Sequence, residues 1–186
     1  MADVIIVGAG VMGASTAFHL AERGLDVLIL DRDGPSAGST ARSAALIRAH
    51  YSTALEADLA WESLTDYFER WGERVGGGCG FTRTGFAFLA AEEDAGKLVA
   101  NVSMLKREVG VDTDVLEPEG ITEVDPAFAL DGVAVAAHEP RGGYADPTAT
   151  TLGFLRAGYA EFARRREYGV DLARSSRHGS ADGGVS

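Results

Sequence analysis

A short apolar run followed by three closely spaced glycines is the feature that most constrains how this chain folds. Residues 4–7 are continuously apolar, as expected of a strand buried on both faces. Gly8, Gly10 and Gly13 follow in the spacing Gly-x-Gly-x-x-Gly. The first glycine of this pattern permits a sharp turn, the second lets the backbone approach a pyrophosphate, and the third lets the next helix pack close to the strand. The stretch predicts a turn that binds a nucleotide phosphate.

The residues after the glycines complete the predicted unit. A helix is expected over about residues 11–23, with its N-terminal amides facing the phosphate and Gly24 ending it. A second apolar strand at 27–30 ends on Asp31, 18 positions after Gly13 and close to the spacing that places a carboxylate on a ribose hydroxyl. A glycine-rich turn in some other α/β unit is the alternative. The order of strand, glycines, helix, strand and acid favours dinucleotide binding.

Composition excludes several classes of partner. The 186 residues are 46% hydrophobic, which is enough for one sizeable core. A net charge of −11 argues against nucleic acid or an anionic membrane surface as a partner.

No apolar run has the length of a membrane span, and we expect no signal peptide. The single cysteine, Cys79, excludes an internal disulfide framework and favours a cytoplasmic location. We predict no metal site and no catalytic role for Cys79.

A loop of small and hydroxyl residues follows the second strand and leads to an arginine. Its sequence, GSTARSAALIRAHYS, suits a segment that lies against a bulky cofactor. Arg48 is either a structural arginine or one that holds a carboxylate with its planar guanidinium. His50 and Tyr51 adjoin it and are weaker candidates for the same site.

Four stretches together resemble a known family. They are DVIIVGAGVMGASTAFHLAERGLDVLILDRD, GSTARSAALIRAHYS, CGFTRTGFAFLA and GGYADP. In this order they resemble the amine- and amino-acid-oxidising flavoproteins of the D-amino acid oxidase superfamily, in particular the sarcosine oxidase and sarcosine dehydrogenase branch. The resemblance runs from residue 2 to about residue 173. Members of the family are much longer, so it covers only the N-terminal part of their fold.

The resemblance implies FAD as the cofactor and a small-molecule amine or amino acid as the substrate. It implies oxidation of the C–N bond of a secondary or tertiary amine, with the hydride passed to the flavin, and Arg48 as a ligand of the substrate carboxylate. The catalytic residues stay unassigned. The implied cofactor-binding residues are Gly8, Ala9, Gly10, Val11, Met12, Gly13, Asp31, Arg32, Ser39, Thr40, Arg42, Ser43 and Ala44.

Two alternatives remain open from the sequence. One is an NAD-dependent dehydrogenase, which Asp31 allows but in which the loop through Arg48 has no role. The other is a non-catalytic flavin-binding fragment that needs a second chain to supply the remaining half of the fold.

The expected fold class is α/β: a Rossmann-like FAD-binding βαβ unit with part of an α+β substrate-covering domain, truncated relative to the family. The predicted divisions are the start of the FAD domain at 1–53, a joining helix at 54–76, a partial substrate domain at 77–140, a return to the FAD domain at 141–173 and a disordered tail at 174–186. Within them we expect helices over 54–74 and 92–109, a strand pair in FTRTGFAFLA with Gly85 in its middle, a strand at 132–140, and a third parallel strand beginning in GVDLA.

Overall fold

The computed structural model describes residues 1–166 and 172–174, which form two compact units. The first unit contains Met1–Ser43 and the described residues from Pro147 onward, and the second is Ala44–Asp146. The strands are β1 (Val4–Val7), β2 (Val27–Asp31), β3 (Leu46–Ile47), β4 (Thr82–Arg83), β5 (Phe86–Ala90), β6 (Asp114–Leu116), β7 (Val135–Glu139), β8 (Gly143–Tyr144) and β9 (Leu172–Arg174). The α-helices are α1 (Val11–Glu22), α2 (Ala54–Glu62), α3 (Trp71–Arg74), α4 (Glu92–Met104), α5 (Pro118–Val124) and α6 (Pro147–Arg166).

The first unit is built on a parallel sheet in the order β1-β2-β9. The predicted β1-α1-β2 unit is therefore confirmed, and the expected third parallel strand is present as β9. Gly24 stops helix α1 just after Glu22, as predicted, because the left-handed conformation of this glycine (φ +83°) lets its amide donate to the carbonyl of Ala21 over 2.9 Å. Helices α1 and α6 pack against each other, with the rings of Phe18 and Phe154 5.5 Å apart.

One face of β1 is half-buried and the other is exposed. Strands β1 and β2 pair Val4 with Val27 and Ile6 with Ile29, and Ile29 is fully buried. The alternate residues of β1 are open to solvent: Ile5 is 60% exposed and Val7 is 86% exposed. The sequence predicted a strand buried on both faces, and in this unit one face of β1 remains uncovered.

The second unit contains two antiparallel sheets, in the orders β3-β8-β4 and β5-β7-β6. Helix α4 covers the second sheet, where Leu98 and Val102 pack against Ala90, Val135 and Ala137. The expected strand pair in FTRTGFAFLA is wrong, since β4 pairs with β8 and β5 pairs with β7. Gly85 has a φ of +77°, a backbone conformation that lets the chain leave one sheet and enter the other.

The two predicted helical segments are present, each with a π-helical stretch. Helix α2 continues as a π-helix over Ser63–Phe68 before α3, and α4 continues as one over Leu105–Val109. The strand expected at 132–140 is β7. The predicted domain boundaries stay predictions. Apart from Arg174 in β9, the tail expected at 174–186 lies outside the described residues.

Candidate functional site

The turn between β1 and α1 depends on two glycines for different physical reasons. Gly8 has a φ of +108°, which L side chains rarely adopt, and its amide donates to the carbonyl of Leu30 over 2.8 Å. Gly13 has no room for a side chain, because a Cβ there would collide with the carbonyl oxygen of Gly8 and lie 3.3 Å from a methyl carbon of Ile6. Helix α1 can therefore pack this close to β1 only with glycine at position 13.

Gly10 lies at the N-terminus of α1, where the helix leaves backbone amides without intrahelical partners. No side chain caps this end from position 10. The amide of Val11 donates to Thr40 Oγ1 over 3.1 Å, and a Cβ on Gly10 would lie 2.9 Å from the same oxygen. The fold thus brings the second glycine of the motif together with Thr40, which is 30 positions away in the chain.

Asp31 ends β2 and accepts three backbone hydrogen bonds. Its Oδ2 accepts from Ala9 over 2.7 Å, and its Oδ1 accepts from Asp33 and Gly34 over 2.8 Å each. The bond from Ala9, followed by that from Asp33, lowers the pKa of Asp31 below its usual value. The carboxylate is therefore ionised at neutral pH, and Oδ2, which accepts a single bond, has further acceptor capacity for a hydroxyl.

The remaining predicted cofactor residues are mostly on the surface. Arg32 is exposed and pairs with Asp33 at 2.9 Å, and Met12 is exposed on α1. Residues 40–42 form a 3₁₀ turn, and the neighbouring Ser39, Arg42 and Ser43 are exposed. Ala44 is also exposed and is the first residue of the second unit.

The residues of the first unit fit the adenosine diphosphate part of FAD. The helix start carries no side chain at Gly8, Gly10 or Gly13, so a pyrophosphate can approach its backbone, and Thr40 Oγ1 already bonds the first helical amide, that of Val11. The ionised Asp31 stands at the carboxyl end of the neighbouring strand, which is where ligands bind in open α/β sheets.

Arg48 lines a cavity of about 680 Å³ in the second unit. It follows β3, and its Nη1 donates to the carbonyl of His50. The guanidinium carbon lies 4.5 Å from the centre of the Tyr51 ring and 5.4 Å from that of Phe86. Such stacking orients the planar guanidinium, and this planarity allows two-point binding of a carboxylate.

His50 is buried beside Arg48 and contacts three other elements. Its ring stacks on Phe88 at 4.9 Å, and Asn101 Nδ2 donates to its Nε2 over 3.3 Å. Its Nδ1 lies 3.9 Å from Oε1 of the buried Glu139. Burial, followed by the charge of Arg48, lowers the pKa of His50, so the ring is neutral at neutral pH.

Sequence reasoning missed four residues that the fold places around Arg48 and His50: Phe86, Phe88, Asn101 and Glu139. They come from β5, α4 and β7 and lie 36 to 91 positions from Arg48 and His50 in the chain, and aromatic or amide residues in such elements are more often structural. Glu139 is unusual in the sequence as an acid at the end of the apolar strand GVAVAAHE, but that pattern does not indicate which residues it contacts. Cys79 is also buried, and burial raises the pKa of its thiol, which favours the unreactive protonated form.

The family described as DAO, FAD dependent oxidoreductase, matches residues 3–177. The chain belongs to this family. Membership in the DAO family makes FAD the cofactor class, in agreement with the fit of the β1–α1 turn and Asp31. It also removes the support for an NAD-dependent dehydrogenase.

Three relatives show how much of a family member this chain spans. It is 28% identical over 178 residues to the mitochondrial dimethylglycine dehydrogenase of Rattus norvegicus, covering 92% of this chain and 19% of the relative. It is 24% identical over 164 residues to the mitochondrial sarcosine dehydrogenase of Mus musculus, covering 88% and 18%. The crystal structure of L-proline dehydrogenase from P. horikoshii matches with a TM-score of 0.80 and 26% identity over 93% of this chain and 44% of that one. The chain thus spans about a fifth of the two mammalian dehydrogenases and less than half of the archaeal one.

The described residues contain neither a membrane-spanning helix nor a metal-binding cluster. No helix within residues 1–166 is both long and apolar enough to cross a membrane. In the same part of the chain, together with 172–174, no cluster of three or more His, Cys, Asp or Glu side chains is arranged to hold a metal ion.

Proposed function

We propose that this chain is the FAD-binding part of an oxidoreductase that oxidises the C–N bond of a secondary or tertiary amino acid such as sarcosine. The observation that carries the proposal is that one member of the family contains both a turn suited to a dinucleotide and a cavity lined by an arginine. A glycine turn and ionised Asp31 suit the dinucleotide, and Arg48, stacked on aromatic rings, lines a cavity. FAD, when bound, accepts the hydride of such a reaction, so the protein contributes binding, orientation and electrostatics.

The residues of the chain divide into two groups in this proposal. The turn at Gly8–Gly13, Asp31 and the loop through Ser39, Thr40, Arg42, Ser43 and Ala44 hold the cofactor. Arg48 binds the substrate carboxylate, and its charge selects amino acids over simple amines. The compounds for which these relatives are named, dimethylglycine, sarcosine and L-proline, are all amino acids with a substituted nitrogen.

A non-catalytic flavin-binding chain that needs a partner is the second candidate. It is supported by the share of the relatives that this chain spans, 44% for the archaeal L-proline dehydrogenase. Co-expression with the part of that dehydrogenase that the match does not cover separates the two candidates. The first predicts flavin that is bleached by a substituted amino acid, and the second predicts bound flavin that no such compound reduces.

Arg48→Ala in that co-expressed protein tests the substrate site. Loss of a charge-assisted contact to the carboxylate corresponds to about 1.5–3 kcal/mol, so we expect KM for N-methyl amino acids to rise by about 10- to 150-fold. Arg48→Lys is the matched control, since it keeps the charge and loses the planar two-point geometry, and we expect an intermediate KM. Flavin content should stay the same in all three proteins. Loss of flavin with an unchanged KM would make Arg48 a structural residue.

A further inference from the structure

We propose that Glu139 is a positioning residue, which fixes the backbone beside Arg48 and so holds the guanidinium against its two aromatic rings. This inference rests on the proposed function, because the purpose of the held guanidinium is to bind a substrate carboxylate. The bond between Glu139 and residue 49 is a direct observation and does not depend on that purpose.

The contact between Glu139 and Ala49 is buried and joins distant parts of the chain. The amide of Ala49 donates to Glu139 Oε2 over 2.8 Å. Ala49 is 0% exposed and Glu139 is 1% exposed, so water cannot replace this bond. A buried amide without a partner is costly, which makes Glu139 the group that fixes the backbone at position 49.

Arg48 is linked to the Glu139–Ala49 hydrogen bond through its backbone and through its side chain. It precedes Ala49 by one residue, and its Nη1 donates to the carbonyl of His50, the residue that follows Ala49. Strands β5 and β7 pair Phe86 directly with Glu139, and the Phe86 ring lies 5.4 Å from the guanidinium carbon. The same strand pair therefore supplies the backbone anchor and one of the two rings against which Arg48 stacks.

The second oxygen of Glu139 explains why an acid rather than an apolar residue suits this position. Oε1 lies 3.9 Å from His50 Nδ1, and neither atom has a hydrogen-bond partner among the described residues. Because Asn101 donates to Nε2, the proton of the neutral ring belongs on Nδ1, which faces Glu139. A small shift of the ring would let Nδ1 donate to Oε1, so Glu139 can hold the backbone at Ala49 and the side chain at His50 together.

The test is the nuclear magnetic resonance signal of the Arg48 Hε proton in the full 186-residue chain, assigned by its loss in Arg48→Lys. In the wild type the rings of Tyr51 and Phe86 should shift this proton upfield of its position in an unfolded arginine. Glu139→Gln keeps an acceptor for Ala49 and should keep the shift. Glu139→Leu and Glu139→Met lack the acceptor and should move the proton most of the way to the unfolded position. Val135→Ala, on the same strand but packed against α4, is the control for general loss of packing and should keep the shift.

Each outcome decides the proposal. A wild-type proton without the upfield shift, a shift lost in a folded Glu139→Gln, or a shift retained in Glu139→Leu or Glu139→Met would overturn it. Because Glu139→Gln is nearly the same size as the native residue, it keeps the test decisive where the apolar variants fail to fold. Titration with N,N-dimethylglycine separates this inference from the proposed function. Arg48→Ala could bind N,N-dimethylglycine as well as the wild type while Glu139→Leu still moves the Arg48 Hε proton toward its unfolded position. In that case the positioning role of Glu139 stands and the carboxylate role of Arg48 fails.

Discussion

Gly13 is the residue at which the smallest change should have the largest effect on the first unit. Gly13→Ala adds one methyl group that meets the backbone carbonyl of Gly8, which belongs to a tight turn and cannot rotate away. Overpacking of this kind costs about 1–3 kcal/mol, so we expect the free energy of unfolding to fall by that amount. Urea unfolding followed by far-ultraviolet circular dichroism measures the change.

Gly96→Ala is the matched control for Gly13→Ala. Both glycines lie inside helices, but a Cβ on Gly96 would meet no atom within 4 Å. Alanine there should stabilise α4 by about 0.5–1 kcal/mol, since glycine is the weaker helix former. If both variants change stability in the same direction and by the same amount, the close approach of α1 to β1 is not the reason for Gly13.

The residues of the candidate sites differ in how far the sequence predicts them. Gly8, Gly10, Gly13 and Asp31 can be read from spacing because their roles depend on a local strand–turn–helix–strand geometry. Asn101, Phe88 and Glu139 cannot, because their positions near His50 depend on how β5, α4 and β7 pack. A single sequence contains no local signal for such packing.

At the scale of elements, β1 is the strand most at risk of self-association. It lies at the edge of the described sheet, and Ile5 and Val7 are exposed on the same face. Exposed apolar edge strands serve as templates for association with other chains. Ile5→Thr with Val7→Thr removes much of this apolar surface and keeps a residue type that favours strands. We expect the double variant to shift the chain from larger species toward monomer in sedimentation velocity.

Leu55→Thr with Leu59→Thr provides the control for that experiment. These leucines are also exposed but lie on α2, which presents no open sheet edge. We expect this pair to leave the association state nearly unchanged. Equal effects of the two double variants would show that general surface hydrophobicity, and not the β1 sheet, drives association.

The elements themselves follow closely from sequence periodicity, but their pairing does not. The helices over 54–74 and 92–109 show an apolar stripe, and the structure has them. The alternation in FTRTGFAFLA indicates two strands, yet alternation says nothing about partners. Gly85 sends β4 and β5 into different sheets, where β8 and β7 pair with them.

At the scale of the whole molecule, the chain combines a dinucleotide unit with a second unit that carries Arg48, within the DAO family of FAD-dependent oxidoreductases. It spans 44% of the archaeal L-proline dehydrogenase. The contacts that the chain itself offers to FAD should therefore give binding that is saturable but weaker than in a complete family member. That binding should depend on the β1–α1 turn above all.

Titration of FAD against residues 1–186, followed by flavin fluorescence, measures how far binding depends on the β1–α1 turn. Gly10→Val places a branched side chain at the N-terminus of α1, where a Cβ already lies 2.9 Å from Thr40 Oγ1 and where the pyrophosphate must approach the backbone. Gly78→Val is the control, because a Cβ there meets no atom within 4 Å and position 78 lies in the second unit, outside the residues assigned to the cofactor. We expect saturable binding to the wild type and to Gly78→Val, and at least about tenfold weaker binding to Gly10→Val, which corresponds to about 1.4 kcal/mol. Equal affinity of Gly10→Val and the wild type for FAD would contradict the account.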